Sequence, residues 1–233
     1  MIVFYTPDIT DDGLARFDVS ESRHISQVLR KKPGDEIAFT DGRGGRYAGF
    51  LAEVHRDACT ARITYAEEVP SRPFGLHLVL APPKNSNRLE WVAEKVTELG
   101  VETISLVQCS RSERTRVRTD RLERILLAAM KQSMQAYLPR IQGLQPLEEF
   151  LRQGLSGQGF IAWCGAEKLP SLQHNYRRGA DVTLLIGPEG DFTPEEVRLA
   201  EACGYEPVSL GPNRLRTETA ALVACTIVNV MNQ

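Results

Sequence analysis

From His77 onward, short apolar runs alternate with segments of helical periodicity, and this alternation restricts the fold more than any other feature. His77–Ala81, Thr103–Val107, Gly159–Cys164, Val182–Ile186 and Pro207–Leu210 read as strands. Strands separated by helices cannot pair as hairpins, so the chain must build a mainly parallel sheet covered by helices. The helical signals are specific. Asn87 followed by Glu90 suits a capping box, and Trp91, Val92, Val96 and Leu99 recur at helical spacing up to Gly100. Arg118–Tyr137 reads as a long helix and Leu147–Gln153 as a weaker one. Thr193-Pro194-Glu195-Glu196 supplies a cap, a proline at the first position and an acid at the third. Thr217–Asn229 is a final, mostly apolar helix that packs on the sheet or on a partner subunit.

The first 70 residues have another rhythm. Ile2–Tyr5 and Ala58–Ala66 read as strands, and Glu36–Thr40 and Tyr47–Glu53 flank the turn Asp41–Gly45, which favours a hairpin. Ser20 caps an expected helix from Glu21 to Lys31, before Pro33-Gly34. A small barrel-like β domain over 1–70, a linker within Glu67–Phe74 and an α/β domain over 71–233 follow from this division.

Bulk properties bound the function. The 233 residues are 42% hydrophobic and 25% charged, as in ordinary globular chains. No apolar run approaches a membrane span, and the start lacks the pattern of a secretory signal, so a cytoplasmic protein is expected. The five cysteines lack metal-ligand spacing and read as buried free thiols; no metal is expected. Net charge is −2, but its distribution is uneven. Residues 1–70 hold 9 basic and 12 acidic side chains, whereas residues 84–140 hold 11 and 7. Phosphates meet local charge, so a slightly acidic chain can still bind RNA.

Two loops could carry chemistry. Leu184–Ile186 runs into Gly187-Pro188-Glu189-Gly190-Asp191-Phe192 and then the capped helix at Thr193. Ligands of open α/β sheets gather beyond the carboxyl ends of strands, and glycines let the backbone approach them. A plain strand-to-helix turn would use the same residues. The phosphate-loop and dinucleotide fingerprints are absent. The second loop, Leu210-Gly211-Pro212-Asn213-Arg214-Leu215-Arg216-Thr217-Glu218-Thr219-Ala220, also leads from a strand to a helix. Arg216 either serves a ligand or pairs with Glu218. Basic clusters form a third feature: Lys84 and Arg88, the arginines from Arg111, Arg114 and Arg116 to Arg124, and Arg23, His24 and Arg30 in the first domain. Arginine forks suit phosphates, and solvated helix surfaces look the same at this stage.

Taken in order, these segments resemble the RsmE family of 16S ribosomal RNA uridine-N3 methyltransferases, within the SPOUT class. The likeness covers nearly the whole chain: Arg23-His24 with Val28-Leu29-Arg30, Glu94 to Val101, Gln132-Ser133 with Pro139, Ile186 to Gly190, and Leu210-Gly211 with Leu215 to Ala220. The last two carry most of it. The resemblance implies a PUA-like β-barrel followed by an α/β domain whose C-terminal segment forms a trefoil knot. It implies S-adenosyl-L-methionine held by Ile186, Gly187, Pro188, Glu189, Gly190, Leu210, Gly211, Leu215, Thr217 and Thr219. It implies a homodimer acting on small-subunit ribosomal RNA or the 30S subunit. Within that frame Arg216 is the candidate for stabilising charge on the uracil, and Glu218 for orienting it or relaying a proton. Arg23, His24, Arg30, Lys84, Arg88, Arg111, Arg114 and Arg116 are the candidates for RNA contacts. Three residues depart from the family pattern: Asp191 where glycine is usual, Lys131 where glutamate is common, and Gln135 where arginine is common. Two alternatives stay open: the same chemistry on another RNA, and an RNA-binding assembly protein without catalysis.

Overall fold

The computed structural model describes residues 2–165 and 168–233, in two compact units. The first unit is discontinuous in sequence. It comprises the residues up to Ser71 together with Met130–Leu138, an excursion that a single boundary at residue 70 does not provide.

In the first unit the elements are β1 (Val3–Tyr5), β2 (Asp8–Ile9), β3 (Leu14–Phe17), α1 (Val19–Arg23), β4 (Glu36–Thr40), β5 (Gly45–Val54) and β6 (Cys59–Glu68). They form one six-stranded sheet in the order β1-β4-β5-β6-β3-β2. Only β1 and β4 run parallel. Phe4, Phe17, Ile25, Phe39 and Leu51 fill its core, with Phe17 edge-on to Phe39 at 5.4 Å. The expected helix over Glu21–Lys31 differs in detail. Asp18, not Ser20, is its cap, accepting from the Glu21 amide at 2.7 Å. After Arg23 the turn widens to a π-helix over His24–Val28, and Arg30 sits at φ 52°.

The excursion 130–138 is pinned through its backbone. Gly44 N–H and the Thr40 hydroxyl donate to the Ala136 carbonyl, Arg46 to that of Met134, and Leu138 N–H to that of Gly42. An ion pair joins the half-buried Lys131 to the buried Glu21, and the ammonium lies 5.9 Å from the Phe4 ring centroid. This gives the lysine that departs from the family pattern a partner inside the first unit. These demands end the long helix at Gln132, where Met134 takes φ 55°, so the helix expected to reach Tyr137 stops short.

In the second unit follow β7 (Leu76–Leu80), α2 (Ser86–Glu98), β8 (Thr103–Gln108), α3 (Thr119–Gln132), β9 (Arg140–Pro146), α4 (Leu147–Arg152), β10 (Gln158–Ala162), α5 (Leu172–Asn175), β11 (Val182–Ile186), α6 (Pro194–Ala202), β12 (Tyr205–Val208) and α7 (Thr217–Met231). The last residues of α3 belong to the excursion. All six strands are parallel, in the order β12-β10-β11-β7-β8-β9. β11 lies centrally and every residue of Val182–Ile186 is buried, as a run that is apolar but for Thr183 requires. β9 escaped the sequence because Arg140–Pro146 is a largely exposed edge strand without an apolar pattern. β12 starts two residues before the expected Pro207, which the sheet edge tolerates. Asn85 rather than Asn87 caps α2, accepting from the Asn87 amide at 2.8 Å. Cys59, Cys109 and Cys225 are buried as expected, Cys203 is half-buried, and Cys164 is exposed. Among the described residues no helix is long and apolar enough to cross a membrane, and no cluster of His, Cys, Asp and Glu could hold a metal ion.

Candidate functional site

The winding of the sheet locates the site. From β7 the chain steps through β8 to β9 on one side, whereas β11, β10 and β12 lie on the other. Reversal of winding opens a crevice beyond the carboxyl ends of the strands. Register aligns those ends, with Ile186 opposite both Leu80 and Ala162, and Ala162 opposite Val208. The loops after β7, β10, β11 and β12 therefore share one edge.

The two late loops meet directly. The buried Thr217 hydroxyl, on the first residue of α7, donates to the Gly187 carbonyl at 3.1 Å. Ile186, Gly187 and Pro188 are buried, while Glu189 and Gly190 are exposed. Leu210, Leu215 and Thr219 are half-buried. A Cβ on Gly187 would fall 3.0 Å from the buried Phe192 ring, so that ring leaves no room for a side chain. Gly211 has φ 136° and open space where a Cβ would stand, so its backbone can be approached closely. Main-chain walls with half-buried apolar side chains suit a flat, partly apolar ligand with polar edges.

Asp191 occupies a left-handed conformation, φ 63°, which explains why glycine is the easier residue there. Its carboxylate accepts from the Phe192 amide at 2.8 Å and the Cys164 amide at 3.0 Å. Both oxygens are thus engaged with backbone, and the side chain ties the loop after β10 to the loop after β11. Sequence reasoning missed this third loop, although the expected strand Gly159–Cys164 ended at the same edge. Burial, with the Asp191 carboxylate, pushes the Cys164 thiol up against the opposing pull of Arg214, which argues against a thiolate nucleophile.

The charged candidates divide into distinct roles. Glu218 is buried in the first turn of α7 and pairs with Arg88 at 3.4 Å, not with Arg216. Arg216 is exposed, its carbonyl accepts from the Ala220 amide at 2.8 Å, and its guanidinium has no hydrogen-bond or ion-pair partner among the described residues. The guanidiniums of Arg116 and, in the first unit, of Arg30 are likewise without such a partner among the described residues. Lys84 pairs with Glu113 at 2.6 Å, and this carboxylate holds its ammonium above the usual lysine range. Arg111 and Arg114 are turned onto backbone carbonyls of neighbouring loops. In the first unit Arg23 pairs with Asp57 at 2.5 Å, and His24 lies half-buried with its ring 5.5 Å from Phe4. A free guanidinium beside main-chain walls can stabilise negative charge that gathers on a second reactant.

Comparison with known proteins adds to this geometry. An RNA methyltransferase domain model matches residues 70–229, and an RNA methyltransferase PUA domain model matches residues 17–64. The ribosomal RNA small subunit methyltransferase E of Mycobacterium bovis is 29% identical over 241 residues, covering 99% of this chain and 92% of its own. Among solved structures, a probable rRNA-methyltransferase of Porphyromonas gingivalis is 37% identical with a TM-score of 0.91, covering 100% of this chain and 98% of that one. Ribosomal RNA small subunit methyltransferase E of Neisseria gonorrhoeae, solved bound to S-adenosyl methionine, is 25% identical with a TM-score of 0.89 and the same coverage.

Proposed function

Because this chain belongs to the RNA methyltransferase family, we propose that it transfers a methyl group from S-adenosyl-L-methionine to N3 of a uridine in small-subunit ribosomal RNA. The observation that carries the reading is the hydrogen bond from Thr217 to the Gly187 carbonyl, which closes the two glycine loops onto one crevice. A relative of known structure solved with this cofactor bound shares the fold along the whole chain.

The cofactor would supply a methyl already activated on a sulfonium, so no metal is required. Ile186 to Gly190 and Leu210 to Thr219 would hold it, mostly through main chain and the half-buried Leu210 and Leu215. The uracil imide must lose its N3 proton as the new bond forms, leaving charge on the uracil oxygens. Arg216 would stabilise that charge; the reading is supported by the absence, among the described residues, of any competitor for its guanidinium. Glu218, buried and committed to Arg88, would tie the first turn of α7 to α2 and act as a positioning residue. Asp191, with each oxygen on a backbone amide, is assigned to holding the two loops together rather than to accepting the proton.

Arg116 would meet phosphates from the second unit, and Arg30 and the PUA-like unit would bind RNA separately. The same reading carries a C-terminal trefoil knot, a cytoplasmic location and a homodimer. Supporting the last, α7 is apolar nearly all round, with Leu222, Val223 and Ile227 half-buried and Val230 60% exposed. The test is methyl transfer from labelled cofactor to 30S subunits of a strain lacking the modification, followed by nucleoside analysis. Labelled 3-methyluridine is the expected product. Label in another nucleoside, or none, would overturn the assignment.

A further inference from the structure

The segment after β8, residues 109–114, lies outside both glycine loops yet holds three elements at the carboxyl edge. Ser110 N–H donates to Glu196 Oε1 at 2.7 Å, and Glu196 Oε2 accepts from Thr193 N–H at 2.8 Å. Arg111 Nη1 donates to the Gly190 carbonyl at 2.8 Å. Arg114 spans the loop after β7. Its Nε donates to the Pro83 carbonyl at 3.0 Å, and its Nη2 to the Lys84 carbonyl at 2.5 Å and the Ser86 hydroxyl at 2.9 Å. The amide of that same Lys84 donates to Glu189 Oε1 at 3.0 Å, inside the first glycine loop.

We propose that Arg114 is a positioning residue for the cofactor crevice, acting through Lys84 and Glu189, and not a phosphate-binding group. The proposal rests on the methyltransferase reading and extends it. The guanidinium spends three of its five N–H donors, the whole Nε–Nη2 edge, on two carbonyls and a hydroxyl, so that edge is closed to bidentate phosphate binding, and the acceptors lie on the loop after β7 and the first residue of α2. Releasing it leaves the Pro83 and Lys84 carbonyls without that donor and frees the loop that presents the Lys84 amide to Glu189. The first glycine loop would then lose its brace from the β7 side, while Arg111 still held Gly190. Lysine cannot reproduce the clamp, because an ammonium is a point charge without the fork, though it binds phosphate well.

That difference provides the test. The wild type, Arg114→Lys, Arg114→Ala and Ser86→Ala are compared by calorimetry with S-adenosylhomocysteine. Binding of a 16S ribosomal RNA transcript is measured over a range of salt. The expected result is a dissociation constant for S-adenosylhomocysteine about tenfold or more weaker in both Arg114 variants, equivalent to losing about 1.4 kcal/mol. Ser86→Ala, which removes one acceptor and perturbs the fold least, should weaken it in the same direction. The salt slope of RNA binding should not change. Wild-type affinity for S-adenosylhomocysteine in Arg114→Lys, with the salt slope of Arg114→Ala lower by about one, would overturn the proposal and leave the methyltransferase reading standing. Failure of the wild type itself to bind S-adenosylhomocysteine would overturn both.

Discussion

Replacing Thr217 by valine isolates the contact that joins the two glycine loops. The change keeps a β-branched side chain of nearly equal volume, and helix propensities of the two residues are close. What is lost is the hydroxyl that donates to Gly187 at 3.1 Å. Thr217 is only 5% exposed, so water does not replace it readily. Leaving a buried carbonyl without its donor costs about 1–3 kcal/mol. If the loss falls on the closed arrangement of the loops, affinity for S-adenosylhomocysteine drops by roughly 5- to 150-fold. If it falls on the fold as a whole, the melting temperature drops by about 2–4 °C for each kcal/mol. Calorimetry and thermal melting on the same sample separate these shares. Thr217→Ser, which retains the hydroxyl, should recover most of either loss. A Thr217→Val protein with wild-type affinity and wild-type melting would refute the reasoning that this bond locks the crevice.

Other variants probe neighbouring parts of the account. Arg216→Ala should reduce kcat by about 100-fold or more, the scale of one lost charge-stabilising donor, with cofactor affinity nearly unchanged; single-turnover kinetics with near-wild-type rates would remove Arg216 from the reaction. Asp191→Asn should keep the pH profile of methyl transfer, because the carboxylate accepts backbone amides and moves no proton; loss of the limb of the profile would contradict this. Lys131→Ala strands the buried Glu21 carboxylate, whose Oε2 already lacks a partner, and should destabilise the protein by about 3 kcal/mol in urea unfolding. His77 supplies a pH dependence. Burial, aided by Arg140, lowers its pKa to about 4 from the ordinary 6.5, so the neutral ring is favoured in the folded state. Its contribution is complete above pH 6.5 and lost as pH falls toward 4, on the order of 3 kcal/mol at most. His77→Gln should flatten urea midpoints across that window.

Much of the second unit was legible because buried parallel strands and capped helices leave strong local signals. Val182–Ile186 is apolar but for Thr183, and Thr193 with Glu196 forms the capping box that its sequence announces. Edge elements were not legible. β9 is largely exposed and shows no alternation, and the end of α3 is decided by backbone pairing with residues some ninety positions earlier in the chain, as the bond from Gly44 N–H to the Ala136 carbonyl shows. At the site, the two loops could be read from their glycines, but the partners of their charges could not. Whether Glu218 meets Arg88 or Arg216 depends on the approach of α2 and α7, which no local pattern encodes. Likewise a run of arginines looks alike whether its guanidiniums face solvent, as at Arg116, or carbonyls, as at Arg114.

A crystal structure of this chain with S-adenosylhomocysteine would examine the proposed ligand site most directly. The adenosyl group should lie between Gly187–Gly190 and Leu210–Thr217, with the thioether sulfur turned toward Arg216. Density for the ligand elsewhere on the sheet, or the two loops closed on each other with no ligand between them, would contradict the account.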